Sequence, residues 1–301
     1  MSRLAVRTPL VRLANLFGGR EVYAKCEFVA PSGSFKIRGA AHLLEQLLGN
    51  KDQKRELVVP SMGNTALGAA VGARALGFSM AAVVPTVLRR AKEEKLRALN
   101  VELIKIPGGG SDLLRHAVEV ARDRQAYFVH PHLDVQWTDG YQSIAQEIVE
   151  DLPGCRSLIF PVGGGGLLMG LTEFLVHHAG KPRLIGCEPF GYPKYARFDH
   201  PRTRTIADGL MLENPHPQVQ DRIREMGIPV ELVADPEIST AMRDLYRTHA
   251  LVVEPSSAIA VAYVQAHLAD LQQPTCVVLT GENIDRDDFF ELIGDAPAAA
   301  K

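Results

Sequence analysis

Short apolar runs separated by longer stretches of helical periodicity recur along the whole chain, and this alternation restricts the fold more than any other feature. Leu57-Val58-Val59-Pro60, Ser79 to Val84, Val101 to Ile106, Ala126 to His130, Ser157 to Val162, Arg183 to Cys187 and Thr275 to Thr280 each read as a buried strand. Between them, Thr65 to Leu76, Arg89 to Leu99, Asp112 to Arg124, Gly140 to Asp151, Leu167 to His178, Pro236 to Thr248 and Ser256 to Ala269 read as helices. Strands that take turns with helices specify an α/β protein with mostly parallel sheets. Residues from about 40 to about 140 form one four-strand α/β unit, and the remainder repeats the same grammar. A length of 301 residues favours two domains. No long linker separates the two, so the chain is expected to leave one domain and return to it.

Composition narrows the function classes. Hydrophobic content of 46% and charged content of 23% are ordinary for a globular protein. The net charge of -2 supplies no electrostatic reason to expect nucleic acid or an anionic membrane as partner. No apolar run approaches the roughly 18 residues of a membrane span. Met1-Ser2-Arg3-Leu4 lacks the apolar stretch of a secretion signal, so a cytoplasmic location is expected. Cys26, Cys155, Cys187 and Cys276 are scattered, with no CxxC pair. They are expected to be buried thiols in a reducing compartment, neither a disulfide frame nor a zinc site.

Four segments carry candidate chemistry. In Pro31-Ser32-Gly33-Ser34-Phe35-Lys36-Ile37-Arg38-Gly39-Ala40 a glycine turn precedes a helix that Ser34 could cap. Lys36 would sit in the first turn, flanked by Phe35 and Ile37, where burial and the positive helix end lower an amine's pKa. Alone, the segment also reads as an ordinary solvated lysine. Ser61-Met62-Gly63-Asn64-Thr65 lies between a strand end and a helix start. That is where α/β proteins bind anions, although plain capping by Ser61 or Asn64 explains it equally. Gly163, Gly164, Gly165 and Gly166, followed by Leu167, expose consecutive backbone N–H groups between a strand and a helix. Such a turn cradles a phosphate without Lys or Arg. It is neither a P-loop nor a dinucleotide fingerprint. Lastly, Glu254-Pro255-Ser256-Ser257 accompanies Thr280-Gly281-Glu282-Asn283, where Thr280 ends the last strand.

Taken together and in this order, these segments resemble the fold-type II pyridoxal phosphate enzymes, the family of the tryptophan synthase β subunit. Ser34 to Ala40 and Thr205-Ile206-Ala207-Asp208-Gly209 look like its serine/threonine dehydratase and serine racemase branch. The resemblance implies two three-layer αβα domains with mostly parallel sheets and the cofactor in the cleft between them. Residues 1–39 and 141–301 would form a large, discontinuous cofactor-binding domain, and 40–140 a small mobile domain on the substrate side. It implies that Lys36 links covalently to pyridoxal 5'-phosphate, that Phe35 packs on its ring and that Asn64 bonds its ring hydroxyl. Gly163 to Leu167 would hold the phosphate, Thr280 would face the pyridine nitrogen, and Glu254 would also line the cofactor. Ser61, Met62, Gly63, Asn64 and Thr65 would bind the substrate carboxylate. No metal ligand set is assigned, and a homodimer is expected.

The expected activity is loss of ammonia from a β-hydroxy amino acid, serine or threonine, by way of an aminoacrylate. A hydroxyl at the pyridine nitrogen makes the ring a poorer electron sink, which favours immediate β-elimination. Two positions depart from the branch. Met62 stands where racemases of this kind carry a serine, so racemisation is expected to be weak or absent. Thr65 stands where dehydratases commonly carry His, and Gly63-Asn64-Thr65 looks more like a cysteine synthase loop. A β-replacement synthase is therefore the alternative, and a catalytically silent binding protein is a third reading. The irregular stretch Glu188 to His216, with Lys194, Arg197, His200, Arg202 and Arg204, reads as a solvated segment, with recognition of an acidic substrate group as the alternative.

Overall fold

Burial on both faces explains why the strands read as continuous apolar runs. The computed structural model describes residues 4, 6–49, 55–61, 63–88, 90–130, 132–197, 201–211 and 215–295. Met62 and His200 lie outside the described residues. The strands are β1 (Leu10–Arg12), β2 (Val22–Cys26), β3 (Glu56–Pro60), β4 (Ser79–Pro85), β5 (Glu102–Ile106), β6 (Tyr127–Phe128), β7 (Ser157–Pro161), β8 (Arg183–Pro189), β9 (Val230–Val233) and β10 (Thr275–Leu279). They form a six-stranded sheet, β1-β2-β10-β7-β8-β9, and a four-stranded sheet, β5-β4-β3-β6. Among the strand pairs of the two sheets described, only β1–β2 is antiparallel. Central strands β7 and β10 are buried at every residue. Their helices supply the covering layers, with Ala258, Val261 and Val264 packed in one cluster with Ile159 and Val277. Leu113, Ala117 and Ala121 pack with Val58, Ala81 and Val83 on the smaller sheet.

Several elements differ from the sequence reading. The helix expected over 140–151 is present as Gln142–Asp151, and a short helix absent from the sequence reading, Val135–Asp139, ends just before it at Gly140. Gly140 sits at a crossing: a Cβ on it would lie 2.3 Å from the Arg38 carbonyl oxygen, and one on Gly39 would lie 2.6 Å from Trp137 Nε1. Two backbones approach too closely there for any side chain. Within the stretch read as irregular, Asp208–Leu210 forms a 3-10 turn, and a helix, Pro217–Met226, begins just after it. Lys194 is not solvated. Its side chain is fully buried, with Nζ 3.2 Å from Glu188 Oε1 and donating to the Leu210 carbonyl at 2.8 Å. Cys26, Cys155, Cys187 and Cys276 are all free and buried. Among the described residues no helix is long and apolar enough to cross a membrane.

This topology points the carboxyl ends of β3, β7 and β10 at one region, as parallel α/β sheets do. Ser61 follows β3, Gly163 follows β7 and Thr280 follows β10. The turn after β2 reaches the same place, where Ser34 bridges Gly281.

Candidate active site

Lys36 opens the helix Lys36–Gly49. The chain just before it is pinned, since Phe35 N–H donates to the Thr280 carbonyl at 3.0 Å. From the other side the helix Asn64–Leu76 presses in, and a Cβ on Gly68 would lie 2.8 Å from the Lys36 carbonyl carbon. The Lys36 amine lies 4.7 Å from the Phe35 ring centroid and 5.7 Å from that of Tyr141. Those two rings pack on each other at 4.7 Å. Burial pushes the amine down to about 8, with the Glu254 charge opposing the shift. A solvated lysine is therefore the wrong picture; this amine can lose its proton near neutral pH.

Glu254, whose charge acts on this amine, holds Asn64. Asn64 Nδ2 donates to Glu254 Oε1 at 2.7 Å, and Asn64 Oδ1 accepts from Asn283 Nδ2 at 2.8 Å. Asn64 thus does not cap its helix; its amide is spent on bonds between loops. Ser61 does the capping, its Oγ accepting from the N–H groups of Gly63 and Ala66, each at 3.2 Å. The cap leaves that hydroxyl able to donate one further bond. Thr65 is buried and Gly63 partly so. Lys92 Nζ comes within 3.4 Å of where a Gly63 side chain would start, and lies 3.7 Å from Asp208. Burial raises the Glu254 carboxyl to about 7, while Lys92 pulls it down and Asp208 pushes it up. Lys92, Asp208, Glu254 and Asn283 share the wall of one cavity of about 230 Å³.

The glycine turn closes the third side. Gly165 has φ +89°, a left-handed conformation that glycine adopts freely. The helix Gly166–Leu175 starts at once, so its unpaired N–H groups and positive end face the turn. Side chains press on the glycines: a Cβ on Gly164 would sit 2.2 Å from the His132 ring, and one on Gly165 2.4 Å from Val219. Gly163 faces the Gly209–Leu210 turn, while Leu167 is buried just behind. Thr280 is 4% exposed, directly beyond β10 and one residue from the Gly281 that touches Glu254 and Asn64.

The residues fit pyridoxal phosphate. A side-chain-free turn at a helix N-terminus suits the phosphate. A buried, low-pKa amine suits the aldehyde. Buried hydroxyls of Ser34, Ser256 and Ser257 have no hydrogen-bond partner and are free to serve a polar guest. His132, His216, Tyr141 and Lys92 escaped the sequence reading. His130-Pro131-His132 carried the one available hint, because the expected strand Ala126 to His130 ends there.

Residues 1–281 match the family of pyridoxal-phosphate dependent enzymes. The chain is 30% identical over 288 residues to the L-threonine ammonia-lyase of Thermotoga maritima, covering 93% of this chain and 71% of that one. Among solved structures, it is similar to the processed form of threonine deaminase isoform 2 from Solanum lycopersicum, with a TM-score of 0.89, 25% identity, and 98% and 85% of the two chains covered. The fungal L-serine ammonia-lyase of Rhizomucor miehei superposes with a TM-score of 0.85 at 25% identity, over 99% of this chain and 100% of that one.

Proposed function

The chain belongs to the pyridoxal-phosphate dependent enzyme family, and we propose that it is an ammonia-lyase converting serine or threonine to a 2-oxo acid and ammonia. One observation carries this reading: the buried Lys36 amine interacts electrostatically both with Glu254, which holds Asn64, and with His132, which lies against Gly164 of the glycine turn. When bound, pyridoxal phosphate supplies the electron sink that makes the Cα proton acidic. Lys36 would hold it covalently, Phe35 would pack on its ring, and Asn64 would bond its ring hydroxyl. Glu254 would line it, Gly163 to Leu167 would take its phosphate, and Thr280 would stand at its ring nitrogen.

The rest is work for this chain's side chains. Ser61 fixes the loop that leads into the helix Asn64–Leu76, whose positive end takes the substrate carboxylate together with Gly63 and Thr65. Lys36 Nζ, already close to losing its proton, removes the proton from substrate Cα. Asn283 and Glu254 hold the Asn64 amide at a fixed angle. Met62 has no transferable proton, so it cannot return one to substrate Cα, and elimination outruns racemisation.

Residues 40–140 are proposed to be the small domain that moves over the substrate, with 1–39 and 141–301 as the large one. Lys95 Nζ donates to Asn283 Oδ1 at 2.9 Å and Lys92 meets Asp208, contacts that would latch the closed form. Four buried free thiols support a cytoplasmic location, and a homodimer completes the reading. Incubation of the holoenzyme with serine or threonine, with and without an added thiol, tests the function. The expected products are pyruvate or 2-oxobutanoate and ammonia. A new β-substituted amino acid in place of the oxo acid would assign the synthase reaction instead.

A further inference from the structure

The glycine turn contains no basic side chain, yet imidazoles lie against and beside it. His132 lies directly on Gly164. His216 precedes the helix whose Val219 covers Gly165. The two imidazole rings are 5.9 Å apart, and His130 lies 5.7 Å from His216 and 6.3 Å from His132. His130 is committed to the fold, because its Nδ1 accepts from the backbone N–H groups of His132 and Leu133 at 3.3 and 3.0 Å. His216 is not committed: its Nε2 is buried without a hydrogen-bond partner. Among the described residues the three rings are not grouped to hold a metal ion.

We propose that His132 and His216 are the charge-bearing side chains of the phosphate pocket, taking up a proton when the cofactor's dianionic tail enters. The inference rests on the reading of the glycine turn as the phosphate site and adds two residues and a proton to it. The groups that act electrostatically on His132 are Lys36, His216, His130 and Lys194, all bases. Glu188 is already paired with Lys194, and Asp134, two residues along from His132, accepts from the Tyr127 hydroxyl and the Trp137 N–H. Without an anion, burial and these neighbours keep His132 neutral, and burial does the same to His216. A phosphate monoester, with its second pKa near 6, is the ligand class that reverses this balance. It would accept a charge-assisted bond from His216 Nε2 while the Gly163–Gly166 amides hold its other oxygens. Aromatic or amide side chains could fill the same space, but only imidazole lets the pocket's charge follow its guest.

The test compares pyridoxal phosphate with pyridoxal, which lacks the phosphate, on the apoprotein by absorbance titration from about pH 6 to about pH 9. Calorimetry with inorganic phosphate in buffers of different ionisation enthalpy counts the protons taken up. In the wild type, the preference for pyridoxal phosphate over pyridoxal should weaken as pH rises, and phosphate binding should take up a proton. His132→Asn and His216→Asn should each lower pyridoxal phosphate affinity by roughly tenfold or more. They should leave pyridoxal affinity unchanged, which also shows that the variants fold. A preference independent of pH, no proton uptake, or an unchanged preference in both variants would overturn the proposal while leaving the proposed function standing. Failure of wild-type protein to bind pyridoxal phosphate at all would sink both.

Discussion

Two buried charges stand two residues apart on the same helix, and their surroundings could hardly differ more. Arg38 is enclosed by acceptors. It reaches Glu27 through Nε at 2.7 Å and Nη2 at 2.8 Å, and Glu147 through Nη1 at 2.7 Å and Nη2 at 2.8 Å. Ser143 and Thr8 complete the set, and Lys25 Nζ approaches Glu147 at 2.5 Å. Lys36, a little over half a turn earlier, meets two aromatic faces, with no carboxylate within ion-pair distance among the described residues. One region is a closed polar network that fixes how the Lys36 helix docks on the helix Gln142–Asp151. The other is open, with unpartnered hydroxyls and an amine held off its ordinary pKa. Satisfied buried polarity builds the fold, and unsatisfied buried polarity awaits a ligand.

Substitutions at the two positions separate these roles. Lys36→Met should cut turnover by about 10²-fold to 10⁴-fold or more and abolish the visible band of the bound cofactor. Its apoprotein should melt no lower than wild type, because a buried amine without a counter-ion is removed. A large drop in the melting temperature of the apoprotein would erase the contrast. Arg38→Met should do the opposite, leaving Glu27 and Glu147 buried and uncompensated at a cost of about 3–5 kcal/mol in denaturant unfolding. Wild-type stability in that variant would show that the network is ornamental.

The pH dependence of apoprotein stability sharpens the same contrast. Glu254 keeps its proton in the folded state up to about 7 against an ordinary 4.5, so stability falls as pH rises through that window. Lys36 releases its proton at about 8 against an ordinary 10.5, so stability recovers above 8. These two groups therefore place a minimum between pH 7 and 8. Glu254→Gln should remove the acidic limb and raise stability near pH 8 by roughly 1–3 kcal/mol. A stability profile that Glu254→Gln leaves unchanged would refute this. The smallest expected effect is at the loop: Ser61→Ala loses the cap on Gly63 and Ala66, about 1 kcal/mol, and should raise KM more than it lowers kcat. Equal losses in both would assign Ser61 to the chemical step.

Much of the fold was legible because central parallel strands are apolar on both faces. Strands β3, β4, β5, β7, β8 and β10 all fall where the runs Leu57 to Thr280 placed them. Strands β1, β2 and β9 were not read: β1 and β9 are short and only partly buried, and β2 has a lysine, Lys25, at a fully buried position. The short helix that ends at Gly140 went unread for another reason, since Gly140 packs against Arg38, more than a hundred residues away in the chain.

The candidate site divides in the same manner. The segments holding Lys36, Asn64, the four glycines, Glu254 and Thr280 were visible because each follows a strand or opens a helix and those boundaries are local; their order, by family resemblance, pointed to a shared site. Which side chains surround them was settled only by packing. His132 carried only the hint of a strand end, His216 and Tyr141 were not assigned to the site, and Lys194 was misread as solvated. Backbone periodicity is written in neighbouring residues, whereas burial, pairing and pKa depend on which distant segments the two sheets bring face to face.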